Sequence, residues 1–494
     1  MATERPHLAV IGAGPAGLAA SLAAAARGVR VTLIDSAAGA GGQFYRRPPA
    51  GLGARRPEAL HHRWRTWRRL GDALAARVEA GTIRHLADHH VWCVEAVEPV
   101  ELVELVEPAV PEAPPDTAPP PARPGSAGFV VHALLGPLQE EPVTVRADAV
   151  LLATGGYEKV LPFPGWTLPG VVTAGGAQAM LKGGLVVPGQ RAVVAGTGPL
   201  LLPVATGLAA AGVEVAALVE SADPKAFLRR AVALAAQPGK VAEGVRYGAQ
   251  LLRHHVKVLP RHTVVAAHGE QRLDAVSVAA LDTHGRVGPG TERRIACDTL
   301  AVGHGMLAHI DLAESLGCRI DGLNVAVDEE QRTDVPGVWA AGETTGIGGA
   351  ALSLAEGHIA GRSAAARLTG TRPDPRAWAR AARSRSRARE FFAALDTAYA
   401  PPAHWTEQVT DDTVVCRCEE VTAGAVRNAV DELGAGDVRT VKLLTRAGMG
   451  WCQGRMCEPA VAGLAGCEQT PARRLLARPV PLGVLARAGD PEDD

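Results

Sequence analysis

A glycine-rich turn near the start of the chain limits the possible folds more than any other feature. An apolar strand over residues 8–11 leads into this turn, whose residues include Gly12, Gly14, Pro15, Ala16 and Gly17. The first glycine permits a tight turn, the second lets backbone approach a pyrophosphate, and the third lets the following helix pack closely. Asp35 ends the next strand about 20 residues after the first glycine, where a carboxylate can bind a ribose. The N-terminal segment is therefore predicted to bind a dinucleotide.

The length and charge of the chain set broad limits on its class. At 494 residues it is long enough for about three domains. The net charge of −1 provides no long-range basic field, which argues against a nucleic-acid partner. The uncharged runs 8–26 and 199–213 contain glycine turns or Pro203 and fit a buried α/β sheet better than a membrane span. We expect a cytoplasmic protein with at most peripheral membrane contact, because the sequence shows no signal peptide or lipidation motif.

A second copy of the strand–turn–helix plan starts at residue 191. Its turn contains Gly196 and Gly198, and Glu220 follows at a spacing suited to a ribose. Leu201 occupies the position of the third glycine, so the motif is degraded. Two interpretations stay open: a working second nucleotide site for NAD(P) or ATP, or a retained fold whose ligand is lost or altered.

Composition divides the chain into segments. The first dinucleotide-binding unit is predicted to consist of two segments, residues 1–170 and 306–370. The second nucleotide-binding-like unit is predicted between them, at residues 171–305. Within the first unit, the acidic, proline-rich stretch 98–128 is predicted to be a disordered or extended hairpin loop. Residues 58–80 predict a solvated helix with its tryptophans on the packed side, in preference to a nucleic-acid or membrane helix. An arginine-rich helical linker (371–409), a compact domain (410–466) and a tail (467–494) complete the chain.

Half of the eight cysteines are clustered in the compact C-terminal domain. The clustered residues are Cys416, Cys418, Cys452 and Cys457. Four thiolates can hold a [2Fe–2S] cluster or a structural zinc ion. The Cys-x-Cys spacing is tighter than the usual Cys-x2-Cys of zinc sites, which favours iron–sulfur.

Small residues dominate the turns at residues 12–17, 153–155 and 340–343. The order of these three turns resembles that of the flavoproteins with two dinucleotide folds, which include the thioredoxin-reductase and glutathione-reductase types. This resemblance implies an α/β fold with two Rossmann-like units and FAD in the first. Glu343 stands where that superfamily usually has Asp, and the helix beginning near Gly349 would direct its N-terminus at the flavin. The FAD residues implied are Gly12, Gly14, Pro15, Ala16, Gly17, Asp35, Gly42, Gln43, Ala153, Thr154, Gly155, Gly342, Glu343, Gly349 and Ala350.

Disulfide reductases of this superfamily need a Cys-x-x-Cys pair beside the flavin, and no such pair precedes Cys416. The cysteine domain instead resembles the bacterioferritin-associated-ferredoxin type of [2Fe–2S] domain. The whole chain resembles the FAD/[2Fe–2S] α (A) subunits of multisubunit amino-acid and opine dehydrogenases. That group includes the A subunit of opine oxidase, the B subunit of hydrogen cyanide synthase and the α subunits of D-hydroxyproline or proline dehydrogenases.

This resemblance implies an electron-relay role. A flavoprotein β subunit of the glycine-oxidase type would oxidise the C–N bond of an amino acid, imino acid or opine, and a small ferredoxin-like subunit is a further expected partner. The chain would pass the electrons to a respiratory acceptor. No acid or base residue is predicted, and His304 is interpreted as a loop residue near the second nucleotide pocket. The alternatives are a self-contained NAD(P)H-dependent reductase and a non-enzymatic iron or redox sensor; no DNA-binding element supports the latter.

Overall fold

The structure is a computed structural model that describes most of the chain. The described residues are 5–61, 63–97, 128–223, 237–471 and 474–487. The proline-rich stretch predicted to be a loop falls outside them except for Gly128.

The first unit is built on a five-stranded parallel sheet. In spatial order its strands are β20 (Val338–Ala340), β7 (Ala149–Leu152), β1 (His7–Ile11), β2 (Arg30–Ile34) and β3 (Ile83–Leu86). One face packs against α1 (Pro15–Ala25), α2 (Trp64–Glu79) and α7 (Gly349–Leu368). β1 is buried along its whole length, as expected for a parallel sheet covered on both faces.

The other face of this sheet is covered by an antiparallel sheet. Its strands are β4 (His89–Val97), β5 (Gly128–Leu135) and β6 (Glu141–Ala147). β4 pairs with β5 as far as Val97 and Gly128, so the proline-rich stretch connects two adjacent antiparallel strands.

The second unit repeats the parallel plan. Its five-stranded sheet has the order β12 (Val258–Pro260), β11 (Glu214–Glu220), β10 (Arg191–Gly196), β16 (Thr299–Gly303) and β9 (Val171–Thr173). Its helices are α3 (Ala174–Gly184), α4 (Leu201–Ala210) and α5 (Pro238–Arg253), and an antiparallel sheet is formed by β13 (His262–His268), β14 (Ala275–Ala280) and β15 (Arg293–Ala296). The two predicted Rossmann-like units are confirmed.

The chain passes between the units through a two-stranded antiparallel ribbon. β8 (Gly156–Glu158) follows the first unit's β7, and β17 (Met306–Ala308) follows the second unit's β16. The chain then returns to the first unit through α6 (Asp311–Ser315), β18 (Ile320–Asp321) and β19 (Asn324–Val325). The ribbon therefore places the residues after β17 beside the turn that follows β7.

The C-terminal part begins with α8 (Ala379–Ala398), which packs against α7. The small domain after it contains β21 (Val414–Cys416), β22 (Val421–Thr422), α9 (Ala423–Asp431), α10 (Val438–Thr445) and α11 (Glu458–Leu464), and α12 (Leu482–Arg487) lies in the tail. Short 3-10 turns occur at Ala50–Leu52, Pro57–Leu60, Glu343–Thr345, Pro375–Trp378 and Trp405–Gln408. Among the described segments, none of the helices has both the length and the apolar character required to cross a bilayer.

Close approach of α1 and α7 depends on glycine. A Cβ on Gly357 would lie 2.0 Å from the carbonyl oxygen of Ala16. We expect Gly357→Ala to lower the free energy of unfolding by about 1–3 kcal/mol, because the two helices must move apart. Gly244 in α5 has no atom of a described residue near its ideal Cβ position, so Gly244→Ala should instead stabilise by about 0.5–1 kcal/mol. Chemical denaturation of the two variants checks this opposite pair of signs.

Candidate cofactor-binding site

A cavity of about 1230 Å³ lies at the carboxyl ends of β1, β2 and β7. Small-molecule pockets are commonly about 300–1,000 Å³, so this cavity has room for an extended dinucleotide. Segments far apart in the chain contribute to its wall. The predicted FAD residues that line it are Gly12, Gly14, Pro15, Ala16, Asp35, Gly42, Gln43, Ala153, Thr154, Gly155, Glu343 and Ala350.

The other three predicted FAD residues support this wall from behind. Gly17 packs on the turn itself, where an added Cβ would lie 1.8 Å from the carbonyl oxygen of Gly12. Gly342 donates its N–H to Glu356 Oε2 at 2.9 Å, and the Gly349 N–H donates to the Glu343 carboxylate. We therefore expect these glycines to shape the site without forming its surface.

Asp35 is placed where its carboxylate can serve a ribose. It follows β2 and accepts hydrogen bonds from the backbone N–H groups of Ala13 and Ala37. Burial raises the pKa of Asp35, and these two hydrogen bonds act in the opposite direction. The carboxylate is thus tied to the glycine turn and borders the cavity.

The turn that carries Glu343 is fixed by a buried ion pair. Glu356 is fully buried and accepts hydrogen bonds from Gly342 N–H and Thr345 Oγ1. Arg389 of α8 donates to Glu356 Oε1 at 2.6 Å and also to the carbonyl oxygen of Thr345. The segment predicted to be a linker therefore also holds part of the cavity wall in place.

The four clustered cysteines are neighbours within the small domain. Cys452 is within hydrogen-bonding reach of Cys457 and Cys418, and Cys457 also reaches Cys416. The hydrogen bond with Cys457 lowers the pKa of the Cys452 thiol, which favours a thiolate at this position. Each of the four sulfurs is therefore close to one or two of the others. Within the described part of the protein, no set of three His, Cys, Asp or Glu side chains lies close enough together to hold a metal ion. The four thiols match the ligand count and type of a [2Fe–2S] centre.

The small domain packs directly against the cavity. Trp451, Cys452 and Arg455 belong to the cysteine domain and line the same cavity as the glycine turn. Trp166 Nε1 of the core donates to the carbonyl oxygen of Val414 at 2.6 Å, close to Cys416. One wall of the predicted FAD site is thus formed by the predicted cluster domain.

Buried charges join the two parts at this junction. Asp311 of the core accepts hydrogen bonds from Arg455, at 3.0 Å, and from Arg474, at 2.8 Å. Arg455 also donates to the carbonyl oxygen of Cys452. Arg474 pairs in addition with Glu458 of α11. These contacts fix the Cys452 loop against the core.

Several cavity residues carried no signal in the sequence. His309 lines the cavity beside Thr154 and Gly155, although it follows them by more than 150 positions. Arg46 and Arg47, which follow Gln43 closely in the chain, also line the cavity. The pairing of β8 with β17 explains the position of His309, and only that long-range pairing could have indicated it.

The second glycine turn reproduces part of the first. Glu220 ends β11 and accepts hydrogen bonds from the N–H groups of Gly198, at 3.1 Å, and Ala222, at 2.9 Å. Thr197 Oγ1 donates to the carbonyl oxygen of Tyr399 at 3.1 Å, so the chain after α8 lies on this turn. Leu201 is buried in the core of the second unit. Gly196, Gly198 and Glu220 do not line the large cavity.

Burial of Glu220 predicts a pH-dependent stability. Burial raises its pKa from 4.5 to about 7, so between these values the folded state binds more protons than the unfolded state. Stability should therefore fall as the pH rises from 4.5 to 7, by up to about 3 kcal/mol from this group. Melting temperatures of the wild type and Glu220→Gln, compared across this range, check it: the variant should show the weaker decline. Parallel curves for the two proteins would contradict the assignment.

His304 has a structural environment. It is buried, and its Nδ1 accepts a hydrogen bond from the N–H of Leu161 at 3.3 Å. Burial lowers the pKa of His304 to about 4, which keeps the ring neutral near pH 7. The ring thus links the two segments that connect the units, one containing Leu161 and the other containing His304.

Comparison with family models assigns both parts of the chain. Residues 6–365 match the pyridine nucleotide-disulphide oxidoreductase model, and residues 414–465 match the BFD-like [2Fe-2S] binding domain. These matches imply FAD for the core and a [2Fe–2S] cluster for the C-terminal domain. The cavity at the glycine turn and the four adjacent thiols are suited to these two cofactors.

Relatives are similar along nearly the whole chain. Hydrogen cyanide synthase subunit HcnB of Pseudomonas aeruginosa is 31% identical over 91% of this chain and 90% of its own length. The A subunit of opine oxidase from Agrobacterium tumefaciens is 31% identical over 94% and 86%. Among solved structures, L-proline dehydrogenase from P. horikoshii shares the fold, with a TM-score of 0.62, 18% identity and coverage of 98% of this chain and 81% of that one. The chain therefore belongs to the family of FAD- and [2Fe–2S]-containing oxidoreductase subunits that includes HcnB and its opine oxidase counterpart.

Proposed function

We propose that this chain relays electrons within a hetero-oligomeric dehydrogenase. The electrons come from oxidation of the C–N bond of an amino acid, imino acid or opine on a partner flavoprotein, and they leave towards a respiratory acceptor. The observation that carries this proposal is the shared wall: Cys452, a predicted cluster ligand, lines the same cavity as the FAD-binding turn. Cofactors bound at the two sites would therefore have no layer of protein between them.

The chemistry of the two cofactors suits such a relay. When bound, FAD exchanges two electrons and the cluster exchanges one, so together they can divide the two electrons of a hydride into single steps. The protein's own contribution is to hold the two cofactor sites in a fixed relative position. Arg455 does this by donating to the carbonyl oxygen of Cys452 and to Asp311 of the core.

The partner is inferred from the relatives. HcnB and its opine oxidase counterpart are both named as subunits, which supports a hetero-oligomer. We expect a β subunit of the glycine-oxidase type to bind the amine donor, and we expect a small ferredoxin-like protein to be a further component. We place the complex in the cytoplasm, with at most peripheral membrane contact, and the lack of a disulfide among the eight cysteines supports this placement.

One observation favours a second candidate function, an NAD(P)H-dependent reductase that feeds a protein partner. Glu220 is bonded to its glycine turn much as Asp35 is bonded to the first turn. The contact between Thr197 and the carbonyl oxygen of Tyr399 opposes this candidate, because it covers the turn where a second nucleotide would bind.

Anaerobic reduction of the native complex distinguishes the two candidates. The chain would be purified with its partners and mixed with NADH, NADPH, or a panel of opines and secondary amino acids. We expect bleaching of the flavin and cluster by an amine donor only when the partner is present. Rapid bleaching of the isolated chain by NADH or NADPH would reject the relay and support the reductase.

A further inference from the structure

His309 is fixed in the cavity wall by its own backbone. Its N–H donates to the carbonyl oxygen of Gly155 at 2.9 Å. Its carbonyl oxygen accepts hydrogen bonds from Thr154 Oγ1 at 2.7 Å and from Thr344 Oγ1 at 3.0 Å. The predicted FAD-binding turns that follow β7 and β20 therefore both form hydrogen bonds with the backbone of His309. Such a backbone can place the imidazole in the cavity wall with little freedom.

The imidazole has a carboxylate on one side. Nε2 of His309 lies 3.4 Å from Oδ2 of Asp311, whose side chain is only 2% exposed. Burial acts to raise the pKa of Asp311, but the His309 ring when it is protonated and the permanent charges of Arg455 and Arg474 act to lower it, and the pKa lies below its ordinary value. Asp311 is thus an ionised acceptor and has no proton to donate. The proton of a neutral His309 is then held at Nε2, facing this carboxylate.

The other ring nitrogen has no hydrogen-bond partner within the part of the chain that the structure describes. This atom, Nδ1 of His309, is also buried. Burial lowers the pKa of the ring, with Asp311 acting in the opposite direction, so the ring is neutral near pH 7. With its proton at Nε2, the ring presents Nδ1 as a bare acceptor. A buried acceptor without a donor is unfavourable, and its partner is expected from a ligand of the cavity.

We propose that His309 is an FAD-binding residue that accepts a hydrogen bond at Nδ1 from a hydroxyl or N–H group of the dinucleotide. Asp311 is the positioning residue that holds the ring in the required tautomer. This inference rests on FAD in the cavity and is independent of the partner protein and of the electron acceptor. It adds an imidazole to a set of predicted FAD residues that contains no histidine.

Two substitutions separate the roles of the two ring nitrogens. His309→Asn places an oxygen acceptor near the position of Nδ1 and loses the contact with Asp311. His309→Gln can keep a donor toward Asp311 and places no acceptor near Nδ1. We expect His309→Gln to weaken FAD binding about tenfold, the effect of one lost hydrogen bond, and His309→Asn to stay near the wild type. The measurement is flavin fluorescence during titration of the deflavinated full chain with FAD.

A matched control and a direct readout complete the test. His268→Gln alters a histidine bonded to Ser277 Oγ in the second unit and should leave FAD affinity unchanged. In the ¹⁵N-histidine-labelled protein, His309 should carry its proton at Nε2, and the Nδ1 resonance should shift when FAD is added. Equal FAD affinity of the Asn and Gln variants, or a proton found at Nδ1 in the FAD-loaded protein, would overturn the proposal. Neither result would affect the relay, which the amine-donor experiment tests separately.

Discussion

Cys452→Ser should remove the [2Fe–2S] cluster and leave FAD bound. Cys452 contacts both Cys418 and Cys457, so it connects the two pairs of thiols that the sequence spacing separates. Serine keeps the size of the side chain but replaces the soft thiolate that iron–sulfur centres require. Iron content and the electron paramagnetic resonance signal of the reduced cluster should fall to background. Flavin absorbance should persist, because the glycine turns predicted to bind FAD lie in the core.

Cys467→Ser is the matched control for this experiment. Cys467 follows the small domain directly and is not one of the four predicted cluster ligands. Its variant should keep the wild-type iron content and spectrum. A Cys452→Ser protein that retained full iron, or a wild-type chain that bound zinc in place of iron, would contradict the cluster assignment.

Cys452→Ser also tests the proposed electron relay. With the cluster removed, an amine donor should still reduce the flavin of the partner subunit in the native complex, but electrons should no longer reach an artificial one-electron acceptor at the wild-type rate. Unchanged transfer to that acceptor would show that the cluster lies off the path. The shared cavity wall, which contains Cys452, leads us to expect the slower rate.

The parts of the site that could be predicted are those encoded over short stretches. The Gly12 turn and Asp35 belong to one strand–turn–helix–strand segment, so their spacing alone indicates that they serve the same dinucleotide site. The four cysteines were identifiable because thiols at close spacing are rare outside metal and redox sites. The α/β fold followed from the repeated glycine turns and the buried apolar strands.

The parts that could not be predicted depend on contacts between distant segments. Arg389 appears in an arginine-rich stretch typical of a solvated linker, yet it reaches the fully buried Glu356 and fixes the Glu343 turn. Arg455 stands between two cysteines, and its pairing with Asp311 appears only when the small domain is packed on the core. No local pattern encodes which face of one domain meets another.

Asp311→Asn should loosen the attachment of the small domain more than any other single change at the junction. Asp311 is 2% exposed, and the two arginines that it pairs with, Arg455 and Arg474, are 13% and 12% exposed. Removing its charge leaves buried guanidinium groups without their shared carboxylate. Breaking a buried ion pair in this way typically costs about 3–5 kcal/mol. We expect faster backbone hydrogen exchange around Cys452 and in α11, and slower electron transfer between this chain's flavin and the cluster.

Asp274→Asn provides the control with the same chemical change in a different environment. Asp274 pairs with Arg294 on the surface of the second unit, where both side chains are about 60% exposed. Solvent screens such a pair, so its loss should cost about 0–1 kcal/mol and leave exchange at the junction unchanged. If Asp311→Asn proved as mild as Asp274→Asn, the small domain would be held by its other contacts, such as the hydrogen bond between Trp166 and Val414. A large difference would show that one buried carboxylate, shared between the imidazole at the FAD cavity and the arginine of the cysteine loop, keeps the two cofactor sites adjacent.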